Sequence, residues 1–284
     1  MINRRTFLTA AALTAAVGAV GCSRTSPQVT DGAITVGLTY IPNVQFSAFY
    51  LGVAEGLFSK RGLDVTLRHH GQQEDVFGAV LSGQENVVFA SADEGVVAAA
   101  RGQDLRTFAT SYQQYPNVVL STADGVDPAA GLAALKGRSL GIPGHFGSSY
   151  YAALAALHTA GLTESDVKLV DIGYTQLSAL ASRQVDFVVG FRNNELVQLR
   201  GQGIEPTVFS VSPEGAPTLV GPSLITAGAA VADDVLKATS ELWQIDGAVS
   251  VAPDAGAFER MGAFLRDAGV IDTVPENTYI DLGL

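Results

Sequence analysis

From Ala33 onward, short runs rich in β-branched residues alternate with longer segments whose apolar residues recur at three- and four-residue spacing. Such alternation is the pattern of parallel strands joined by helical crossovers. It predicts a strand at 34–38, a helix at 47–60, a strand at 64–68, a helix at 73–82, a strand at 87–89 and a helix at 94–101, closed by strands at 107–112 and 118–121. After Lys136-Gly137 the series starts again: strand 139–142, helix 148–160, strand 167–171, helix 176–182, strand 187–189, helix 195–200. The stretch 83–89 followed by Asp93-Glu94 parallels 183–189 followed by Asn193-Asn194-Glu195.

The repetition predicts an α/β chain of two related lobes. Residues 33–120 with 222–284 form the first lobe and 121–221 the second, with C-terminal helices packing back on the first. The chain crosses near 118–122 and returns near 219–227, so two crossing strands make a hinge and leave a cleft between the lobes. One continuous sheet without a cleft is the competing arrangement.

The first 22 residues follow a different pattern. Arg4-Arg5 precedes an apolar, Ala-rich run from Thr6 to Val20 that ends in small residues and Cys22. This is the layout of a secretory signal, and the run is too short for a stable bilayer span. Asn3-Arg4-Arg5-Thr6-Phe7-Leu8 resembles a twin-arginine export signal, and Ala19-Val20-Gly21-Cys22 resembles a lipobox, with Ala19 where leucine is usual. The expectation is an exported lipoprotein, lipidated at Cys22 and held at the outer face of the cell membrane, with 23–32 as a flexible tether. Plain cleavage of the leader is the alternative.

Charge and cysteine count narrow the chemistry. A formal net charge of −11 without a basic patch argues against a nucleic-acid partner. Cys22 is the single cysteine, so no intrachain disulfide and no thiolate metal site can form. The four histidines show no two-histidine metal spacing, and no nucleophile–base set stands out. No catalytic residue, metal or cofactor is expected.

In open α/β sheets ligands gather beyond the carboxyl ends of strands, where loops enter helix N-termini. The loop after the first strand carries Tyr40 and Phe46, flat faces for a heteroaromatic ring or for the core, and Asn43, which contacts ligand or shapes the turn. Asp93 caps the following helix or meets the ligand. Tyr115 stacks on the ligand or packs the hinge. In the second lobe, His145, Phe146, Ser148 and Ser149 lie in a glycine-rich turn where Ser148 can cap a helix; the loop lacks the lysine of a nucleotide P-loop. Tyr174 adds an aromatic ring. Asn193, Asn194 and Glu195 follow another strand, and Glu195 either accepts paired N–H bonds or complements the helix dipole.

Three segments taken in order, 40–46, 141–150 and 191–195, resemble the substrate-binding proteins of ABC importers for thiamine pyrimidine precursors and riboflavin, the SsuA/THI5-like group. The likeness runs from about Ile34 to Phe209. It implies a two-lobed, type II periplasmic-binding-protein fold that closes on a flat vitamin-like ring and delivers it to an ABC permease. Val44-Gln45-Phe46 and the glycine-rich loop look closer to the riboflavin binders than to the pyrimidine-precursor binders. Where the family usually has proline after the glutamate, this chain has Leu196. Two other classes stay open: an enzyme like the fungal thiamine-pyrimidine synthase of related fold, and an exported sensor or scaffold using the same cleft.

Overall fold

The computed structural model describes residues 33–39, 42–71, 74–112, 114–212, 218–228 and 253–280. The expected leader, the tether, Cys22 and Tyr40 lie outside the described residues.

Two five-stranded sheets organise the chain. The first holds β1 (Ala33–Leu38), β2 (Asp64–His69), β3 (Val87–Ser91), β4 (Leu105–Thr110) and β10 (Pro222–Ala227), in the order β2-β1-β3-β10-β4. The second holds β5 (Asn117–Ser121), β6 (Ser139–Ile142), β7 (Lys168–Asp171), β8 (Phe187–Phe191) and β9 (Thr207–Ser210), in the order β7-β6-β8-β5-β9. In each sheet the first three strands are parallel and the fourth runs against both its neighbours. That fourth strand arrives from the other sheet: β5 follows β4, and β10 follows β9. The chain therefore passes between sheets at 111–116 and returns at 211–221; the expected boundary at 120/121 falls inside β5, all of which pairs in the second sheet.

The internal repeat extends to individual hydrogen bonds. One residue ahead of β3, Asn86 Oδ1 accepts from the Thr35 backbone N–H at 2.8 Å. One residue ahead of β8, Asp186 Oδ2 accepts from the Ser139 backbone N–H at 2.9 Å and from Ser139 Oγ at 2.7 Å. Thr226 Oγ1 donates to the Asn86 carbonyl and Ser121 Oγ to the Asp186 carbonyl, each from the antiparallel strand of its sheet. Asp186 is held below the usual carboxylate range by these bonds from Ser139.

Seven α-helices cover the sheets among the described residues: α1 (Ser47–Ala54), α2 (Gly78–Ser82), α3 (Ala92–Ala100), α4 (Gly147–Thr159), α5 (Gln176–Ala181), α6 (Glu195–Gly201) and α7 (Ala255–Asp267). Strands β3 and β5 are buried along their whole length, as expected for strands covered on both faces. Ala152, Ala153, Ala155 and Ala156 are fully buried, and their small side chains let α4 lie close against the second sheet. The same apolar cluster takes in Val96 and Val97 of α3 and Phe258, Met261 and Leu265 of α7. Helix α7 thus does not pack on the first lobe alone: Phe264 meets the ring of His158 on α4, edge to face, at 5.6 Å.

Several elements are shorter than the periodicity predicts, for local reasons. The helix expected at 47–60 ends at Ala54 because Gly56 turns left-handed (φ +63); a 3-10 turn, Ser59–Arg61, and left-handed Gly62 (φ +76) then lead into β2. The helix expected at 73–82 occupies only Gly78–Ser82, preceded by a turn in which Asp75 Oδ1 accepts from the Phe77 N–H. Strand β9 has no counterpart among the expected elements.

Behind β1 lies a buried polar cluster. Glu85, without solvent exposure, accepts from Arg68 Nη1 at 2.7 Å and lies 2.9 and 3.0 Å from His70 Nε2 through its two oxygens. Gly37 leaves room for that carboxylate, which a Cβ at this position would strike. We expect Gly37→Ala to destabilise the fold by about 1–3 kcal/mol, the usual range for overpacking. Gly201→Ala, with open space around it and no left-handed φ, controls for the replacement of glycine itself. Thermal unfolding followed by circular dichroism separates the two; equal losses would show that Glu85 yields freely.

Candidate functional site

The carboxyl ends of β1, β2 and β3 face those of β6, β7 and β8 across a cavity of about 340 Å³, within the range of small-molecule sites. The first-lobe wall is made by Gln45 and Phe46 after β1, His70, Glu74 and Asp75 after β2, and Phe89, Ser91 and Glu94 at the β3–α3 junction. Phe146, Ser148 and Ser149 after β6, Tyr174 and Gln176 after β7, and Phe191, Asn194 and Glu195 after β8 form the facing wall. Aromatic rings line both walls, with carboxamides and carboxyls between them, as a flat ring with polar edges would require.

The expected site residues divide into two groups. Phe46, Phe146, Ser148, Ser149, Tyr174, Asn194 and Glu195 line the cavity. Phe46 is almost fully buried, edge to face with Phe89 and His69, so it forms the cavity floor, whereas Phe146 is 57% exposed and projects from the opposite lobe. The remaining described residues are placed elsewhere. Asn43 caps the 3-10 turn Val44–Phe46, its Oδ1 accepting from the Gln45 N–H. His145 pairs with Asp171 at 3.0 Å on the surface. Asn193 Nδ2 donates to Tyr112 Oη at 2.8 Å, joining the loop after β8 to the end of the first sheet.

Asp93 and Tyr115 are buried beside the cavity and bond to each other. The Tyr115 hydroxyl lies 2.9 Å from Asp93 Oδ2 on α3 and 3.2 Å from the Ser148 carbonyl on α4, so one phenol touches both lobes. Burial outweighs these bonds and raises Asp93 to about 7. In its protonated form Asp93 donates to Tyr115, which leaves the phenolic proton for the Ser148 carbonyl. Asp93 is therefore not the cap of α3. That role belongs to Ser91, in a capping box with Glu94, whose Oε2 accepts from the Ser91 N–H at 3.4 Å. Ser148 is no cap either: Phe146 holds the N-cap position of α4, and left-handed Gly147 (φ +71) turns the chain into the helix.

Glu195 opens α6, with Oε2 accepting from the Phe191 N–H at 2.7 Å and Oε1 from Asn194 Nδ2 at 2.8 Å. Burial raises its pKa against these bonds. Leu196, where the family usually has proline, is buried in the second-lobe core with Leu180 and Leu199. Burial first, then the charge of Asp93, raises Glu94 to about 8. Sequence reasoning missed His70, Phe89 and Glu94 as cavity residues. For Glu94 the signal was present, since the internal parallel sets Asp93-Glu94 against Asn193-Asn194-Glu195.

With this geometry in place, comparison with known proteins gives the lineage. A family described as NMT1/THI5 like matches residues 43–244. The chain belongs to the NMT1/THI5-like family. A riboflavin-binding protein, RibY, from Chloroflexus aurantiacus is 36% identical over 184 residues, 64% of this chain and 52% of that protein; the chain thus spans about half the length of this curated relative. Among solved structures, the periplasmic aliphatic sulphonate binding protein SsuA from Escherichia coli matches 85% of this chain and 80% of its own, with a TM-score of 0.58 at 15% identity. The ligand binding component of an ABC-type import system from Staphylococcus aureus matches 88% and 96%, with a TM-score of 0.62 at 11% identity. This NMT1/THI5-like chain accordingly has the two-lobed periplasmic-binding-protein fold.

Asp93 predicts a pH dependence. Its folded pKa is raised above the unfolded value, so the folded state binds the extra proton, and the associated stability is full below about pH 4 and falls away as pH rises to about 7. Asp93→Asn, which keeps a partner for Tyr115, should raise the melting temperature by at least about 3 °C more at pH 8 than at pH 4. Equal shifts at the two pH values would mean that Asp93 is ionised in the fold.

Proposed function

We propose that this protein is the solute-binding component of an ABC importer and captures a flat heteroaromatic vitamin, riboflavin in preference to a thiamine pyrimidine precursor, without transforming it. One observation carries the reading: a cavity between two repeated lobes, walled by Phe46, Phe89, Phe146, Tyr174 and Phe191 with carboxyl and amide groups among them. Aromatic walls suit a ring system, and the polar groups suit the donors and acceptors on its edge. The likeness to a riboflavin-binding protein supports the choice of ligand, and the fold of the structural relatives supports a role in delivery.

Export and anchoring complete the proposal. The chain carries a leader compatible with the twin-arginine route, and a lipid on Cys22 tethers the domain to the outer face of the cell membrane, where the permease takes over the ligand. The likeness to binding proteins supports capture over catalysis; among the described residues no group of three potential metal ligands occurs.

A binding protein gains stability with ligand as RT ln(1 + [L]/Kd), about 2.7 kcal/mol at a hundredfold excess over Kd. Riboflavin should therefore raise the melting temperature, quench in fluorescence titration and colour the purified protein yellow. If neither riboflavin nor 4-amino-5-hydroxymethyl-2-methylpyrimidine shifts the transition, the vitamin reading fails. Phe146→Ala, which removes an exposed ring, should weaken riboflavin about fivefold to tenfold, in line with about 0.5–1.5 kcal/mol per aromatic contact, with the ligand-free melting temperature changed by less than about 1 °C. Unchanged affinity would remove Phe146 from the site.

A further inference from the structure

We propose that Glu94 is a ligand-contacting, specificity-determining residue: the first-lobe counterpart of Glu195, it donates a hydrogen bond to a ring carbonyl or ring nitrogen of the bound molecule. The inference rests on the reading of the cleft as a heteroaromatic site and deepens it.

The internal repeat supplies the first argument. Glu94 follows β3 as Glu195 follows β8, and each uses Oε2 to accept the backbone N–H at the end of its strand, that of Ser91 or Phe191. The two strands are the third in sheets of the same order, and those sheets face each other. The fold thus brings two carboxyl groups to opposite walls of one cavity, and both line it.

The two differ in what remains available. Glu195 has both oxygens engaged by its own loop, Oε1 by Asn194. Glu94 has only Oε2 engaged, and among the described residues Oε1 has no hydrogen-bond partner. Glu94 also reaches across the cleft: Oε1 lies 3.1 Å from where a Cβ on Gly147 would stand, so the absence of a side chain at the start of α4 keeps this oxygen uncovered.

The surroundings set its charge. Asp93 on the same helix raises Glu94, and Glu94 in turn raises Tyr115 from the segment between the sheets, Tyr151 on α4 and Tyr174 after β7. Burial and Asp93 keep it protonated through neutral pH, with a pKa of about 8. With Oε2 accepting from Ser91, the proton resides on Oε1 and points to an acceptor. Recognition then requires a ligand with a carbonyl or unprotonated ring nitrogen on the edge facing the first lobe. Ionisation above about pH 8 turns the donor into an acceptor and opposes binding.

The test is calorimetric titration of the full chain with riboflavin and with 4-amino-5-hydroxymethyl-2-methylpyrimidine at pH 6, 7, 8 and 9, for the wild type, Glu94→Ala, Glu94→Gln and Glu195→Gln, with the melting temperature of each ligand-free protein. Glutamine preserves the capping box and keeps Glu94→Gln folded. Glu94→Ala should weaken binding tenfold or more. Wild-type affinity should fall at least fivefold from pH 7 to pH 9; Glu94→Gln should lose this fall, and Glu195→Gln should keep it. The inference is overturned if Glu94→Ala binds within twofold of wild type, if Glu94→Gln keeps the wild-type pH profile, or if Glu94→Ala lowers only the melting temperature, the result of a pure cap. A wild type that binds neither compound overturns the reading of the cleft and this inference with it. A wild type that binds, with Glu94 variants that bind alike, overturns the inference alone.

Discussion

In each sheet the antiparallel fourth strand is the one formed as the chain arrives from the other sheet, and the rest of the architecture depends on these two crossings. Among the described residues, β5 and β10 are the only strands that run against both neighbours in their sheets, and each follows on a passage between lobes. Because β5 pairs with β8 and β9 while β10 pairs with β3 and β4, the second sheet is built from consecutive strands, whereas the first is completed only when the chain returns from it. Backbone hydrogen bonding therefore fixes the two parallel triplets with their carboxyl ends toward one shared space. The cavity is a consequence of this pairing before any side chain is chosen to line it.

At the joint, the chain places groups whose ordinary charge would be expensive to bury. Asp93 and Tyr115 sit where the two lobes meet, and Glu94 stands next to them. Neighbouring acids in low dielectric resist ionising together, so Asp93 is raised to about 7 and Glu94 to about 8. That single electrostatic circumstance links the hydrogen bonding of the joint, the orientation of Tyr115 toward Ser148 and the chemistry offered to a ligand. Elsewhere the same residue type is tuned in the opposite direction: Asp186, held by Ser139, is below the usual range and secures the start of β8.

Much of the fold was legible because its signals are local. Strand β6 has the predicted bounds, and the alternation of β-branched and helical runs located the parallel triplets of both sheets. The helix ends at 54 and 78 were harder, since they depend on Gly56 adopting positive φ and on Asp75 closing a turn, choices made by tertiary context. The position of α7 across both lobes was not readable from its own amphipathic pattern, which shows that a face is buried and not against what. For the site, aromatic residues next to strand ends were informative: Phe46, Phe146 and Tyr174 reach the cavity. Polar residues at helix starts were ambiguous, because a cap and a ligand contact call for the same side chains. Ser91 took the capping role expected of Asp93, and Asn43 and His145 found local partners.

Helix α7 has a mechanical consequence. Its Met261 and Leu265 share one apolar cluster with α3 and α4, and Phe264 rests against His158. The helix works as a splint across the joint, and none of its residues lines the cavity. Any rotation of one sheet against the other would have to carry this apolar seam with it, because Phe264 and His158 meet across it.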